Sequence, residues 1–311
     1  MLRLSARLPD FLPGALALAT HTAQAAPLIV YTGTLQGAGQ VVMELDAQAA
    51  ANGMLTGRYF YPKAGVDIPL SGTEQALAEP PPNWKREQAS TGQKSGAPVA
   101  ATWEGKRDAQ GFRGTWTDAR SGKQRAFELR AVAQYNSKSQ PAGVNNGIAT
   151  LPEINAEQAP YDTLKMAGHA EPVGEDVGSG AVAYRMWRDP RTQFLYPRLS
   201  RHPDEQVRER VNHLLEQRQW RKSLGALKCM GEAYTANGDI PNTGTLGNFD
   251  DEVITVTWLS RALMTVTESG SLDCGGAHPS NHFEPYTFDL LRGEYLDWNR
   301  VFDAYVPADS G

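Results

Sequence analysis

Cys274, His278 and His282 recur every four residues near the C-terminus, with Glu284 close behind. On a helix, that spacing would gather a thiolate and two imidazoles on one face, a donor set suited to zinc. Gly275, Gly276 and Pro279 work against such a helix, and Cys274 has a competing use. The only other cysteine is Cys229. In an oxidising compartment two cysteines in one domain most simply close one disulfide, which would consume the thiolate. The expectation is therefore a Cys229–Cys274 bridge and no metal.

His278 has two glycines before it and a proline after it, a backbone path that could aim its imidazole at a ligand or a proton. The plainer reading is a tight bend in which the ring hydrogen-bonds a nearby carbonyl. Gly275, Gly276, His278, Pro279, His282 and Tyr286 form the candidate ligand-binding set. Trp258, Tyr286, Phe288 and Trp298 could add an aromatic platform for a sugar or protein, although core packing suits most of them better. Adjacent carboxylates occur at Glu175 and Asp176 and at Asp250, Asp251 and Glu252, residue types that cleave glycosides when set across a cleft and are otherwise solvated loop residues. Gly-x-Ser-x-Gly, phosphate loops, His-Glu-x-x-His and dinucleotide fingerprints are absent from the sequence. No catalytic residue and no cofactor are assigned.

The chain opens with Arg3 and Arg7, a short apolar run from Phe11 to Thr20, and Ala23-Gln24-Ala25 before Ala26-Pro27. That order is a basic region, an apolar core and a small-residue cleavage site, so residues 1–25 are expected to be a secretory signal peptide. The run falls well short of the roughly 20 apolar residues that span a bilayer. No cysteine follows the cleavage site to take a lipid. A periplasmic or secreted protein without a membrane span is expected. The formal net charge is −5, and losing two arginines and one aspartate with the leader makes it more negative. Nucleic acid is therefore not an expected partner. A basic cluster from Arg185 to Arg221 is interleaved with acids and reads as a solvated helix face.

The elements that would position these residues divide into two domains. Residues 26–135 show short alternating runs between glycines, prolines, asparagines and aspartates, the pattern of antiparallel strands. In Gln40 to Asp46, for instance, Val41, Met43 and Leu45 should face a core while Gln40, Glu44 and Asp46 face water. Seven or eight such strands predict a small barrel or sandwich, with Glu79 to Gly96 an excursion between strands. Residues 136–150 are polar and read as a linker. Residues 151–311 are of mixed α and β character, giving an α+β protein overall. One long helix is predicted from Asp204 to about Lys228, with Gly231 past its end. It should cover an antiparallel sheet formed by Glu252 to Leu259, Ala262 to Glu268 and Pro285 to Leu291. A hairpin through Arg292-Gly293 and a short helix capped by Asp297 follow.

Tyr196-Pro197-Arg198-Leu199, a helix containing Val211-Asn212, paired strands, Cys274-Gly275-Gly276-Ala277-His278-Pro279, Tyr286 to Leu290, Arg292-Gly293-Glu294 and Val301-Phe302 follow in a telling order. Residues 155–305 resemble a bacterial extracytoplasmic domain of unknown function. It is found in the lysozyme-sensing anti-sigma factor of Gram-positive bacteria and beside the catalytic domain of some peptidoglycan deacetylases. The resemblance implies a non-catalytic binding domain of the cell envelope, with a lysozyme-like enzyme or peptidoglycan as partner; the alternatives are a carboxylate- or metal-dependent hydrolase of envelope glycans and a periplasmic immunity or inhibitor protein for a secreted toxin. The family domain continues beyond the Val301-Phe302 position, so the chain is expected to be truncated at its C-terminus. Tyr31 to Leu35, Gly57 to Tyr61, Asp67 to Gly72 and Gly114 to Trp116 are similar to a strand module of exported proteobacterial proteins, for which no activity is implied.

Overall fold

The structure, a computed structural model, describes residues 27–82, 84, 98–136, 143–145, 148–150, 152–237, 249–272 and 280–302. The segment expected to be a leader, most of the Glu79 to Gly96 tract and Cys274 to Pro279 lie outside these.

Strands β1 (Pro27–Leu35), β2 (Gly39–Asp46), β3 (Leu55–Phe60), β4 (Ile68–Gly72), β5 (Ala76–Glu79), β6 (Ala101–Asp108), β7 (Gly111–Asp118) and β8 (Gln124–Asn136) pair antiparallel in chain order. β8 returns to β1, so the sheet closes into a barrel, the form that leaves no strand edge unpaired. Val41, Met43 and Leu45 point inward, as their alternation predicts, to join Leu55, Tyr59, Trp103 and Phe112 in the interior. Closure brings backbones very close. A Cβ at Gly33 would lie 2.0 Å from the Glu128 carbonyl oxygen across the β1–β8 seam, so only glycine fits there.

The outer face of β2 departs from expectation. Val42 and Glu44 are buried as well, because helix α1 (Pro160–Met166) lies against this wall of the barrel. Tyr161 packs with Val30, Val42 and Phe60. Its ring meets Phe60 edge-on at 5.1 Å and carries the Arg58 guanidinium 4.4 Å above it. The polar residues between the domains also contain a short hairpin, β9 (Gly143–Asn145) with β10 (Ile148–Thr150).

In the C-terminal half, β11 (Glu171–Ser179), β12 (Val182–Arg188) and β13 (Leu195–Arg201) form one antiparallel sheet. Strands β14 (Phe249–Leu259), β15 (Leu263–Leu272), β16 (Ser280–Asp289) and β17 (Glu294–Tyr295) form another, over the segments predicted to supply it. Helix α2 (Glu205–Asn237) covers both. Asp204 Oδ1 caps it by accepting from the amides of Gln206 and Val207 at 2.9 and 3.1 Å. The helix runs past the predicted end and through Gly231, because it gains packing there: Gly231 rests against Val66 and Asp67 of the barrel. Val207, Val211, Leu215, Ala226 and Leu227 are buried, all but Leu227 in the core shared with Tyr196, Val266, Tyr286 and Phe288. Asp297 caps a single 3-10 turn, Trp298–Arg300. The architecture is α+β and largely β. Among the described residues no helix is long and apolar enough to cross a membrane.

Candidate functional site

One stripe of α2 turns charged groups onto the sheet that carries the predicted site residues. Arg218 Nε donates to Glu268 at 2.7 Å, and Nη2 lies 3.3 Å from Glu284. One turn on, the Lys222 ammonium pairs with Glu252 and stands 3.3 Å from Glu268. His282 Nε2 completes the cluster, 3.0 Å from Lys222 Nζ and 3.2 Å from Glu252 Oε1. Gly270 makes the room: a Cβ there would meet Glu252 Oε2 at 2.4 Å. Burial would raise the Glu268 carboxyl, but Arg218 and Lys222 outweigh it and hold the pKa below its ordinary value. The phenols of Tyr196 and Tyr286 are pushed well up by burial and by the neighbouring Glu268.

These contacts locate two of the six candidate ligand-binding residues. Tyr286 is buried, its ring covered by the Arg218 guanidinium at 3.8 Å, an arrangement that holds α2 to the sheet. His282 is half-buried inside the ion cluster. Gly275, Gly276, His278 and Pro279 lie outside the described residues, as does Cys274. Cys229 is buried in the C-terminal core. The four aromatics do not form one platform: Phe288 and Tyr286 are core, Trp258 is 60% exposed, and Trp298 stacks on Phe302 at 6.0 Å. Of the paired carboxylates, Glu252 is taken up by Lys222, and Asp176 accepts from Arg185 at 3.0 Å. No group of three or more potential metal ligands occurs among the described residues.

A further concavity lies on the other side of α2. A cleft of about 750 Å³ opens between this helix and the β11–β13 sheet. Its helical wall is a stripe at spacing four, Arg208, Asn212, Glu216 and Trp220. The sheet wall presents Arg185 and Trp187 from β12 and Arg198 from β13. Asn212 fastens the walls together: Oδ1 accepts from the Leu199 amide at 2.7 Å and Nδ2 donates to the Leu199 carbonyl at 2.9 Å. It thus takes the place of a further strand on the edge of β13. Arg198 Nη2 donates to Gln219 at 2.6 Å and Nη1 to the Pro197 carbonyl at 3.2 Å. Desolvation lowers its pKa to about 10 against the pull of Glu216.

The arrangement offers two indoles, whose flat faces suit an apolar ring face, among guanidiniums and carboxylates that suit a polar rim. The cleft departs from the expectation of a solvated helix face, because Arg185, Arg198 and Arg208 line a concavity instead. The available signal was the spacing of four in a helix already predicted, opposite alternating residues in Tyr184 to Arg188. No protein-family model matches the sequence, and no curated protein matches it.

Proposed function

We propose that this is an exported, non-catalytic binding protein of the bacterial envelope that holds a peptidoglycan-related glycan in the cleft between α2 and the β11–β13 sheet. One observation carries the reading: this cleft joins Trp187 and Trp220 to a buried arginine and flanking carboxylates, the mixture of stacking faces and fixed donors that a saccharide needs. The leader-like N-terminus and the resemblance to an extracytoplasmic envelope domain support the compartment and the ligand class. Arg198, Leu199 and Asn212, residues that carry the resemblance, also build the cleft.

Co-sedimentation with purified sacculi tests the proposal. The protein should pellet with sacculi above a control protein, and Trp187→Ala and Trp220→Ala should each weaken retention about tenfold, the scale of one lost aromatic contact. Failure of the unmodified protein to pellet would overturn the glycan reading. Capture of a lysozyme-type muramidase in that case would assign the site to an enzyme partner instead.

A further inference from the structure

Arg185 and Arg198 are direct partners across the β12–β13 ladder, so both guanidiniums rise from the same face of the sheet, the face turned to the cleft. Like charges directly opposite each other destabilise an antiparallel pair. The two are unequally compensated. Arg185, partly exposed, is matched by Asp176 at 3.0 Å. Arg198 is only 7% exposed, yet the nearest carboxylate among the described residues, Glu216, stands 4.0 Å away and is itself 43% exposed.

Three other cations with largely enclosed side chains each have a carboxylate in contact. Lys165 has Asp67 at 2.6 Å, Arg191 has Asp189 at 2.6 Å and Arg218 has Glu268 at 2.7 Å. Arg198 instead spends its close hydrogen bonds on a neutral amide and a carbonyl. A buried guanidinium whose nearest carboxylate is half-exposed and 4.0 Å away recovers only part of its desolvation cost. Ser200 Oγ, on the same wall, is also buried and has no hydrogen-bond partner among the described residues.

We infer that Arg185 and Arg198 form an anion subsite, so that the cleft selects an acidic saccharide whose carboxylate bridges the two guanidiniums. This deepens the glycan reading and rests on it. Trp187 lies two residues along β12 from Arg185, on the same face and about 6.6 Å away. A sugar ring on this indole would place an acidic substituent within reach of the arginines. A planar carboxylate matches the guanidinium fork, and each such charge-assisted bond is stronger than a neutral one.

Calorimetry on the whole protein distinguishes the possibilities with three probes: a disaccharide carrying a lactyl carboxylate, the neutral N-acetylglucosamine disaccharide, and inorganic phosphate. The acidic disaccharide should bind at least about tenfold more tightly than the neutral one. Arg198→Met should abolish that preference, the acidic disaccharide falling to the affinity of the neutral one, and phosphate should compete with the acidic probe only. Thermal unfolding verifies that Arg198→Met folds, as removal of a poorly paired buried charge allows; Arg185→Gln, on the more exposed partner, should reduce the same preference. Equal binding of the two disaccharides, or an acidic preference that survives in both variants, would overturn the anion subsite and leave the glycan reading standing. No binding of either disaccharide would overturn both.

Discussion

Lys165 Nζ of α1 lies 2.6 Å from Asp67 Oδ1 of the barrel, joining residues almost a hundred positions apart. Tyr161 donates to the same oxygen at 2.7 Å, and Arg58 reaches Oδ2 at 3.1 Å while also pairing with Glu44 at 3.0 Å. Burial lowers the Lys165 pKa in spite of Asp67. The ammonium therefore depends on this carboxylate. Asp67→Asn should cost about 3 kcal/mol in urea unfolding, because it strands a buried cation. Lys165→Met fills similar space without the charge and leaves Asp67 to Arg58, so it should cost distinctly less. The reverse order of the two variants would refute the assignment of Asp67 as the hub between the halves.

Two buried carboxyls should drive stability in opposite directions with pH. Glu79, at the end of β5, accepts from Tyr59 at 2.6 Å and from the Trp116 indole, but burial raises its pKa above 4.5. The folded state then holds that proton more tightly than the unfolded chain. Its contribution is present below the unfolded value and is lost as pH rises through the raised folded value. Glu268 is depressed, so its contribution is present above 4.5 and is lost as pH falls through the folded value. Denaturation midpoints should accordingly show Glu79→Gln gaining on the unmodified protein as pH rises above 4.5. Glu268→Gln should trail it by about 3 kcal/mol at neutral pH, where Arg218 loses its counterion, with the deficit shrinking in acid. Parallel pH profiles for both variants would exclude this division.

The barrel was legible because alternation reports a surface with one dry side, and β2 obeyed it on the inner face. Glu44 was misread as wet because its cover, Tyr161 and the rest of α1, comes from more than a hundred residues away. Local pattern cannot register such a cover. The end of α2 was misplaced for the same reason: Gly231 reads as a stop signal, and the barrel surface at Val66 and Asp67 overrides it. Sheet β11–β13 was missed because Gly174, Gly178 and Gly180 and the irregular register between Val173 and Val177 break the alternation of β11. With that sheet went the cleft. His282 and Tyr286 were picked out for their types, but chemistry-bearing residue types also build cores, and only the position of Arg218 and Lys222 on a facing helix reveals that use.

Backbone proximity makes glycine-to-alanine changes diagnostic. At Gly33 the added methyl would strike the Glu128 carbonyl oxygen and lie 2.8 Å from Leu129 Cα, so β1 and β8 would have to part along the seam that closes the barrel. Gly33→Ala should cost about 3 kcal/mol. Gly225, in α2, has nothing among the described residues within 4 Å of its would-be Cβ beyond its own helix backbone and chain neighbours. Gly225→Ala should stabilise by about 0.5–1 kcal/mol through helix propensity alone. Thermal unfolding of the two variants measures both, and a neutral result at Gly33 would contradict the closed seam.

The order of contacts along α2 bears on the proposed disulfide. Arg218 meets Glu268 and Glu284, which are register partners on β15 and β16, and Lys222 meets His282, the partner of Gly270 one step further along. Each helical turn thus advances two residues along the strands, since about 6 Å of helix matches about 6.6 Å of strand. Cys229 lies roughly two turns beyond Lys222, buried in the core, and among the described residues there is no free cysteine. The strands have by then reached Leu272 and Ser280, and Cys274 is the second residue after Leu272. Intact mass should therefore rise by two hydrogens on reduction under denaturing conditions. Cys274→Ser should lower stability by up to about 4 kcal/mol, the loop-closure value before strain is deducted. An unchanged mass, with both thiols alkylated before any reductant is added, would remove the bridge and leave Cys274 a free donor.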